Sequence, residues 1–342
     1  MRAAALALIL AGTLTAQFKS NVPLVVAPIT VTDSKGHYID GLTQQDLILY
    51  DNNVPQTIQL SETAYPISLV VAIQTSANSG AVIDKLGRIG ILLSQLLAAD
   101  AGETAVLSFS DEVKVHQDFT ASPDAVTLAL RMLRKEGANA NILDALRESL
   151  FLLEQRPAGL IKGARRRIIL IVAEKRDDSS VSKLPEVVER IQRLNATVYW
   201  LTFSPFLEPF TVKAKTMEDT KPEAERIKRR QCLTCPDPDT RPAPADLGPG
   251  NVFYAIGELA RLKKPNLADL FTTITGGRTV GFLKKNGLEQ AIQLVSQEVH
   301  RQYILSFQPQ SSEPGKFHAL RVVVKDRPEL VVTTRSGYWA LQ

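Results

Sequence analysis

The sequence predicts an α/β fold with a doubly wound, mostly parallel sheet, flanked by β-strand segments that form a smaller β-domain. First, a near-continuous apolar run at residues 67–73 ends in a polar, small-residue stretch at 74–80, which is typical of a buried parallel strand followed by a functional loop. Second, apolar residues recur at helical spacing from Val82 to Leu96. Third, further apolar runs alternate with helical segments along the chain, which favours the doubly wound architecture.

The N-terminus predicts a secretory signal peptide over residues 1–16. Arg2 precedes an apolar run, and small residues follow near Ala16, which is the pattern of such a signal. The run is too short for a membrane-spanning helix. We therefore expect an exported protein, periplasmic or secreted, with no stable membrane span after cleavage.

Two β-rich segments bracket the α/β region. Residues 17–63 contain extended β-branched stretches, a turn at 33–36, and strands at 47–50 and 54–60 around a hairpin at Asp51-Asn52-Asn53. Residues 301–342 are strand-rich again. We expect the C-terminal segment to pair with the N-terminal one, which would insert the α/β region, residues 64–300, between them.

Within the α/β region the apolar pattern predicts a regular alternation of elements. A lone histidine, His116, lies on a short edge strand and is more typical of a solvated side chain than of a metal ligand. Tyr199 and Trp200 are expected near the sheet edge. The predicted strands are 104–110, 112–119, 168–172, 196–203 and 279–283. Two predicted helices begin at Val82 and Ile142, and three more span residues 187–194, 267–274 and 288–299.

A change in composition predicts an insertion at about residues 204–250, which is rich in proline and poor in large apolar side chains. The insertion contains both cysteines of the chain, Cys232 and Cys235. In an exported protein, a small structural disulfide is the leading interpretation. A reactive thiol pair is the alternative, since Arg229 and Arg230 would lower a thiol pKa.

The charge of the chain gives only a weak indication of partners. The formal net charge is +4 and the sequence pI is about 9.0. The basic groups at 165–167 and 228–230 lie far apart in sequence, and acidic residues accompany the second. Nucleic-acid binding requires a continuous basic face, so no nucleic-acid partner is expected.

The loop after the first sheet strand resembles that of von Willebrand factor type A domains. That family follows its first strand with Asp-x-Ser-x-Ser, whose oxygens hold a divalent ion together with a distant Thr and Asp. Here the loop reads Gln74-Thr75-Ser76-Ala77-Asn78. The stretch ITVTDSKGHYIDGLTQQDLILYDNNVPQTI also resembles the N-terminal segment of acidobacterial proteins with a von Willebrand factor A-related domain. This resemblance covers nearly the whole chain after the signal peptide and implies a bacterial protein.

The resemblance implies a degenerate metal-ion-dependent adhesion site. Ala140 stands where the family has Thr, and Glu174 replaces the second Asp, so one formal negative charge remains where the family has two. Mg²⁺ requires strict octahedral geometry and is usually held by carboxylates. We therefore expect no metal and no cofactor, with at most weak Mg²⁺ affinity. The degenerate site positions are Gln74, Ser76, Asn78, Ala140 and Glu174.

These observations predict an exported, non-enzymatic protein-binding or scaffold module. None of the nucleophile, phosphate-binding, dinucleotide-binding or zinc-protease motifs occurs in the sequence. The binding face would consist of residues 74–79, 139–141 and 174–178 together with the insertion, and the protein partner is unidentified. Two alternatives stay open: a thiol-disulfide oxidoreductase that uses Cys232 and Cys235, and a metal-dependent adhesion protein if the site still binds a divalent ion.

Overall fold

The structure, a computed structural model, describes residues 24–61, 65–76, 79–83, 85–97, 102–156, 165–203, 266–282, 287–309 and 315–340. The predicted signal peptide, the insertion with Cys232 and Cys235, and Asn78 lie outside the described residues, so the expectations about them stay predictions. The same holds for the domain boundaries proposed above.

The strands, in chain order, are β1 (Val25–Thr32), β2 (Leu47–Asp51), β3 (Val54–Gln56), β4 (Ile58–Ser61), β5 (Ile67–Gln74), β6 (Glu103–Phe109), β7 (Val113–Thr120), β8 (Arg166–Ala173), β9 (Thr197–Thr202), β10 (Thr279–Gly281), β11 (Tyr303–Phe307), β12 (Phe317–Val324), β13 (Val331–Thr334) and β14 (Gly337–Trp339). The helices are α1 (Gly80–Ile83), α2 (Leu86–Leu97), α3 (Pro123–Met132), α4 (Ile142–Glu154), α5 (Leu184–Arg193), α6 (Leu267–Thr275) and α7 (Gly287–His300). A single 3₁₀ turn precedes β2 at Gln44–Asp46.

A mostly parallel sheet lies at the centre of the α/β part, with the strand order β10-β9-β8-β5-β6-β7. Only β7, at one edge, runs antiparallel to its neighbour. Every residue of β5 is buried, as expected for a parallel strand covered by helices on both faces. The predicted fold class, a doubly wound and mostly parallel α/β sheet, is confirmed.

Helices cover both faces of this sheet and enclose two separate hydrophobic cores. On one face α4, α5 and α6 pack against side chains such as Val70 and Ala72 of β5. On the other, α2, α3 and α7 pack against Leu69 and Val71. Successive residues of a strand point to opposite faces, so a strand that must fill two cores reads as a continuous apolar run.

The helix predicted to begin at Val82 consists of two pieces in the structure. A turn at Lys85 separates α1 from α2: the Lys85 N–H donates to Val82 O at 3.0 Å, and the Arg88 N–H donates to Lys85 O at 3.0 Å. Such bonds over three residues tighten the chain relative to an α-helix. The apolar stripe nevertheless stays in one core, because Val82 and Leu86 are both buried there.

Strands from the two ends of the chain form a β-sandwich. Its sheets have the orders β13-β1-β11-β4 and β14-β12-β2-β3. N-terminal β1 pairs with C-terminal β11 and β13, and β2 pairs with β12, all antiparallel. Both sheets contribute side chains to one core, among them Ile29, Leu49, Leu305, Phe307 and Val322. Antiparallel pairing therefore joins the two β-rich ends around the α/β part.

The predicted hairpin is present, but the strand expected after it is divided in two. Asn52 and Asn53 have φ angles of 47° and 66°, the left-handed pair that a tight hairpin turn requires. The predicted strand 54–60 breaks at Thr57 into β3 and β4, which belong to different sheets. After the break Ile58 is buried in the sandwich core, whereas Val54 of β3 is 49% exposed.

Tyr199 and Trp200 lie on β9, next to the edge strand β10, and so near the sheet edge as expected but not on it. Both are fully buried, because β10 pairs outside β9 and moves the edge one strand further out. The Trp200 Nε1–H donates to Ala173 O at 3.3 Å, and the Tyr199 hydroxyl accepts from Gln302 Nε2 at 3.1 Å. Neither α3 nor β14 was predicted from the sequence.

Candidate functional site

The candidate site lies where β5 and β8 end side by side. These strands are parallel and in register, with Ile73 opposite Val172, so the loops that follow them leave the sheet at the same edge. Ligand sites of open α/β sheets lie outside the carboxyl ends of the strands. The sheet therefore brings Gln74 at the end of β5 next to Glu174, which follows β8.

Three of the predicted site residues are joined by hydrogen bonds through the Gln74 side chain, which is fully buried. Its Nε2 group donates to Ser76 Oγ at 2.7 Å and to Glu174 Oε2 at 3.0 Å. Its Oε1 atom accepts the main-chain N–H of Glu174 at 2.8 Å. One amide thus connects the loop after β5 to the loop after β8.

The orientation of the Gln74 amide follows from the chemistry of its neighbours. A main-chain N–H can only donate, so the amide atom that faces the Glu174 N–H at 2.8 Å must be the oxygen. The NH₂ group is then the one that faces Ser76 and Glu174. Its two hydrogens match the two acceptors that lie within hydrogen-bond distance.

This arrangement does not fit a divalent cation. A cation at this position would need oxygen lone pairs from its ligands, whereas Gln74 directs two N–H groups toward the hydroxyl and the carboxylate that would serve as ligands. Ala140 has no side-chain oxygen. Within the described part of the chain, no group of three or more His, Cys, Asp or Glu side chains is placed to hold a metal ion.

Ala140 lies in the loop before α4, where main-chain bonds connect it to the loop after β8. Its N–H donates to Asp178 Oδ2 at 2.8 Å, and the Asp178 N–H donates to Ala140 O at 3.2 Å. The neighbouring Asp177 Oδ1 accepts the N–H of Leu143 in the first turn of α4 at 3.1 Å. Carboxylates stabilise a helix N-terminus in this position, so the two aspartates hold the loops together.

Asp144, in the first turn of α4, holds the far end of the loop after β8. It accepts the main-chain N–H groups of Val181 and Ser182, each at 2.9 Å, and the Ser182 hydroxyl at 2.6 Å. Burial opposes ionisation of Asp144, yet these hydrogen bonds outweigh burial and hold its pKa below the usual aspartate value. The loop therefore has fixed main-chain anchors, while the Val181 side chain is 87% exposed at its tip.

A fourth aspartate, Asp111, fixes the other side of the same edge. It accepts the N–H groups of Ala138 at 3.0 Å and Asn139 at 3.1 Å, and these bonds lower the pKa of Asp111. Gly137 permits the approach: its φ is +69°, and a Cβ there would lie 2.6 Å from Asp111 Oδ2.

The role of these aspartates as loop anchors was not predicted from the sequence. The available signal was an Asp shortly after a strand, followed by Gly or Asn in the partner loop.

One serine–histidine pair lies near this edge. Ser108 Oγ and His116 Nε2 are 2.7 Å apart, and burial lowers the pKa of His116, which favours the neutral ring. Among the described residues, no carboxylate forms a hydrogen bond with the other ring nitrogen. A catalytic nucleophile–base pair normally has a third group that orients the base. Among the described residues, this pair has no carboxylate in that role.

The sheet order, with one antiparallel edge strand and the site loops at the carboxyl edge, agrees with the architecture that the sequence predicts. The α/β part is thus consistent with the von Willebrand factor A-like fold that the sequence resemblance implies. Neither a protein-family model nor a curated protein sequence matches the chain.

Several solved structures resemble this one. They include the VWA domain of SpRpn10, with 14% identity and a TM-score of 0.33 over 41% of this chain and 76% of that chain. An aerotolerance-related membrane protein from Bacteroides fragilis NCTC 9343, solved with multiple mutations to serines, has 11% identity and a TM-score of 0.40 over 69% of this chain and 99% of that chain. The conserved hypothetical protein BatB from Bacteroides thetaiotaomicron has 14% identity and a TM-score of 0.39 over 69% of this chain and 98% of that chain.

None of the described helices combines the length and the apolar character that crossing a bilayer requires.

Proposed function

We propose that this chain is an exported, non-enzymatic binding or scaffold module that presents the carboxyl edge of its central sheet to a protein partner without a divalent ion. The observation that carries the proposal is the Gln74 amide, whose donors at 2.7 Å and 3.0 Å connect Ser76 with Glu174. In the family that this loop resembles, a divalent ion connects the oxygens at these positions. Binding at this edge therefore does not depend on metal.

The loop after β8 supplies the contact surface in this proposal. Its main chain is anchored through Asp144, Asp177 and Asp178, while the side chains of Lys175, Arg176 and Val181 are exposed. A loop fixed before binding loses little conformational entropy when a partner docks. An apolar tip between charged side chains suits a protein partner, because interfaces combine an apolar centre with a polar rim.

A pull-down from an envelope extract with the mature protein tests this function. We expect the same partner to be captured with millimolar Mg²⁺ and with excess chelator. Val181→Asp should abolish capture, whereas the matched control Val54→Asp should not, since Val54 is 49% exposed on a distant edge of the sandwich. Capture that requires Mg²⁺ would favour the metal-dependent adhesion alternative. If Val181→Asp leaves capture unchanged, this loop is not part of the interface.

Calorimetry provides a direct test of the metal-independent site. We expect no stoichiometric uptake of Mg²⁺ or Mn²⁺ by the unmodified protein, and a beginning of ion dependence in the double variant Gln74→Asp with Ala140→Thr. Both changes restore oxygen ligands that the related site uses. Tight uptake by the unmodified chain, abolished by Glu174→Ala, would overturn the proposal.

A further inference from the structure

An open groove lies between the sandwich and helix α6, and none of the residues of the proposed binding face lines it. Its volume is about 890 Å³. One wall consists of the consecutive residues 330–336, which include β13. Alternate side chains of a strand point to opposite sides, so an unbroken run along a groove means that the edge of the strand lines it.

The strand edges along this groove have no strand partner among the described residues. β13 ends the order of its sheet and pairs only with β1. The opposite wall includes residues 320–323 of β12. There β12 pairs with β2 on one side, while β14 covers only Phe317–Ala319 on the other. Part of each edge is engaged: the Leu320 N–H donates to Ser336 O at 3.0 Å, and Gly276 lies against the main chain of Thr334 and Arg335. Pairing with another strand would therefore use the remainder of each edge.

Of the features that normally protect a sheet edge, β13 has its short length of four residues but no lysine or proline. Such edges usually carry lysines, prolines or bulges that prevent pairing, but β13 reads Val-Val-Thr-Thr and Val331 is 52% exposed. The β-branched residues favour an extended partner. Helices satisfy their main-chain groups internally, so a helix could not use these edges.

Charge further defines the occupant. Arg321 lines the groove and lies over the Tyr50 ring, with its Cζ atom 4.1 Å from the ring centroid. Among the described residues no carboxylate pairs with it. Asp269, at the other side of the groove, already accepts a hydrogen bond from Asn266 Nδ2 at 2.6 Å. An acidic side chain on the occupant would therefore find an available cation at Arg321.

We propose that this groove binds an extended peptide segment of another protein, rich in β-branched residues and carrying an acidic residue, by adding it as a strand to the edge of β13. Main-chain hydrogen bonds would provide affinity, and Arg321 would select the acidic residue. This surface is separate from the carboxyl edge of the central sheet, so it can bind whether or not the function proposed above holds.

The test uses the full chain and a library of linear peptides of about seven residues, since a strand of five or six residues spans about 17–20 Å. We expect selection to enrich peptides with alternating Val, Ile or Thr and one Asp or Glu. Val331→Lys should weaken their binding at least tenfold, because an edge lysine opposes pairing. The matched control Val54→Lys, on the edge strand β3, should leave binding unchanged.

Two further measurements identify the binding mode. Only every second N–H group of a bound peptide would face β13. N-methylation of that set of alternate residues should therefore abolish binding, whereas N-methylation of the other set should leave binding unchanged. Arg321→Gln should remove the preference for the acidic residue. A selection without binders, or binders indifferent to Val331→Lys, would overturn the proposal. So would sedimentation equilibrium showing a dimer that Val331→Lys dissociates, because the edge would then pair with a second copy of this chain.

Discussion

The hydrogen bonds of the Gln74 amide predict a specific response to the isosteric change Gln74→Glu. This change keeps the oxygen that accepts the Glu174 N–H but replaces both N–H donors with a carboxylate oxygen 3.0 Å from Glu174 Oε2. Two unit charges at that distance repel each other by about 5 kcal/mol at an effective dielectric constant of 20. The charged pair is therefore strongly disfavoured in the folded state.

Proton uptake limits the size of this penalty. Protonating a carboxyl with the usual glutamate pKa of about 4.3 costs about 3.7 kcal/mol at pH 7, less than the repulsion. We therefore expect Gln74→Glu to lower the free energy of unfolding by about 3–4 kcal/mol at pH 7. The shared proton raises the pKa of the pair above the unfolded value, so stability returns as pH falls toward 4.3, and the loss at pH 5 should be about 1 kcal/mol.

Urea denaturation at pH 5 and pH 7, with and without millimolar Mg²⁺, measures these effects. Mg²⁺ should partly restore Gln74→Glu and leave the parent unchanged. The double variant Gln74→Glu with Glu174→Gln should recover most of the stability, because it returns one carboxylate and one amide to the site. The control Gln293→Glu, on an exposed position of α7, should change stability by less than about 0.5 kcal/mol. A loss that is equal at both pH values would refute the reasoning.

Three further predictions follow from other parts of the molecule. Asp144→Asn should destabilise the fold by about 1–3 kcal/mol. Because the pKa of Asp144 is lowered in the folded state, the stability difference measured in urea should be complete above pH 4 to 5 and should shrink as the pH falls further. A difference that does not depend on pH would contradict this prediction. Gly277→Ala should cost about 1–3 kcal/mol, since its Cβ would lie 1.9 Å from Val198 O, whereas Gly281→Ala, with its nearest neighbour at 3.8 Å, should be nearly neutral in the same assay. The mature chain should begin near Gln17, and N-terminal sequencing of exported protein that still shows Met1 would disprove the signal peptide.

The sequence by itself determined the fold class of the central region. Strands buried on both faces must be apolar throughout, so the run before Gln74 could be recognised without any partner strand. The end of α6 at Gly276 was equally local, because this residue adopts a positive φ of 72° that favours glycine. The loss of one site carboxylate, at Gln74, was also visible from the resemblance alone.

Only the tertiary structure decided what replaces the missing carboxylate. The donors and acceptors of Gln74 are assigned by a main-chain N–H that lies 100 residues away in sequence, and no local pattern reports such a contact. The division of residues 54–60 between two sheets, the burial of Tyr199 and Trp200 behind β10, and the groove beside β13 have the same origin. Each depends on which strands become neighbours, and strand pairing is a long-range choice that propensity and periodicity do not specify.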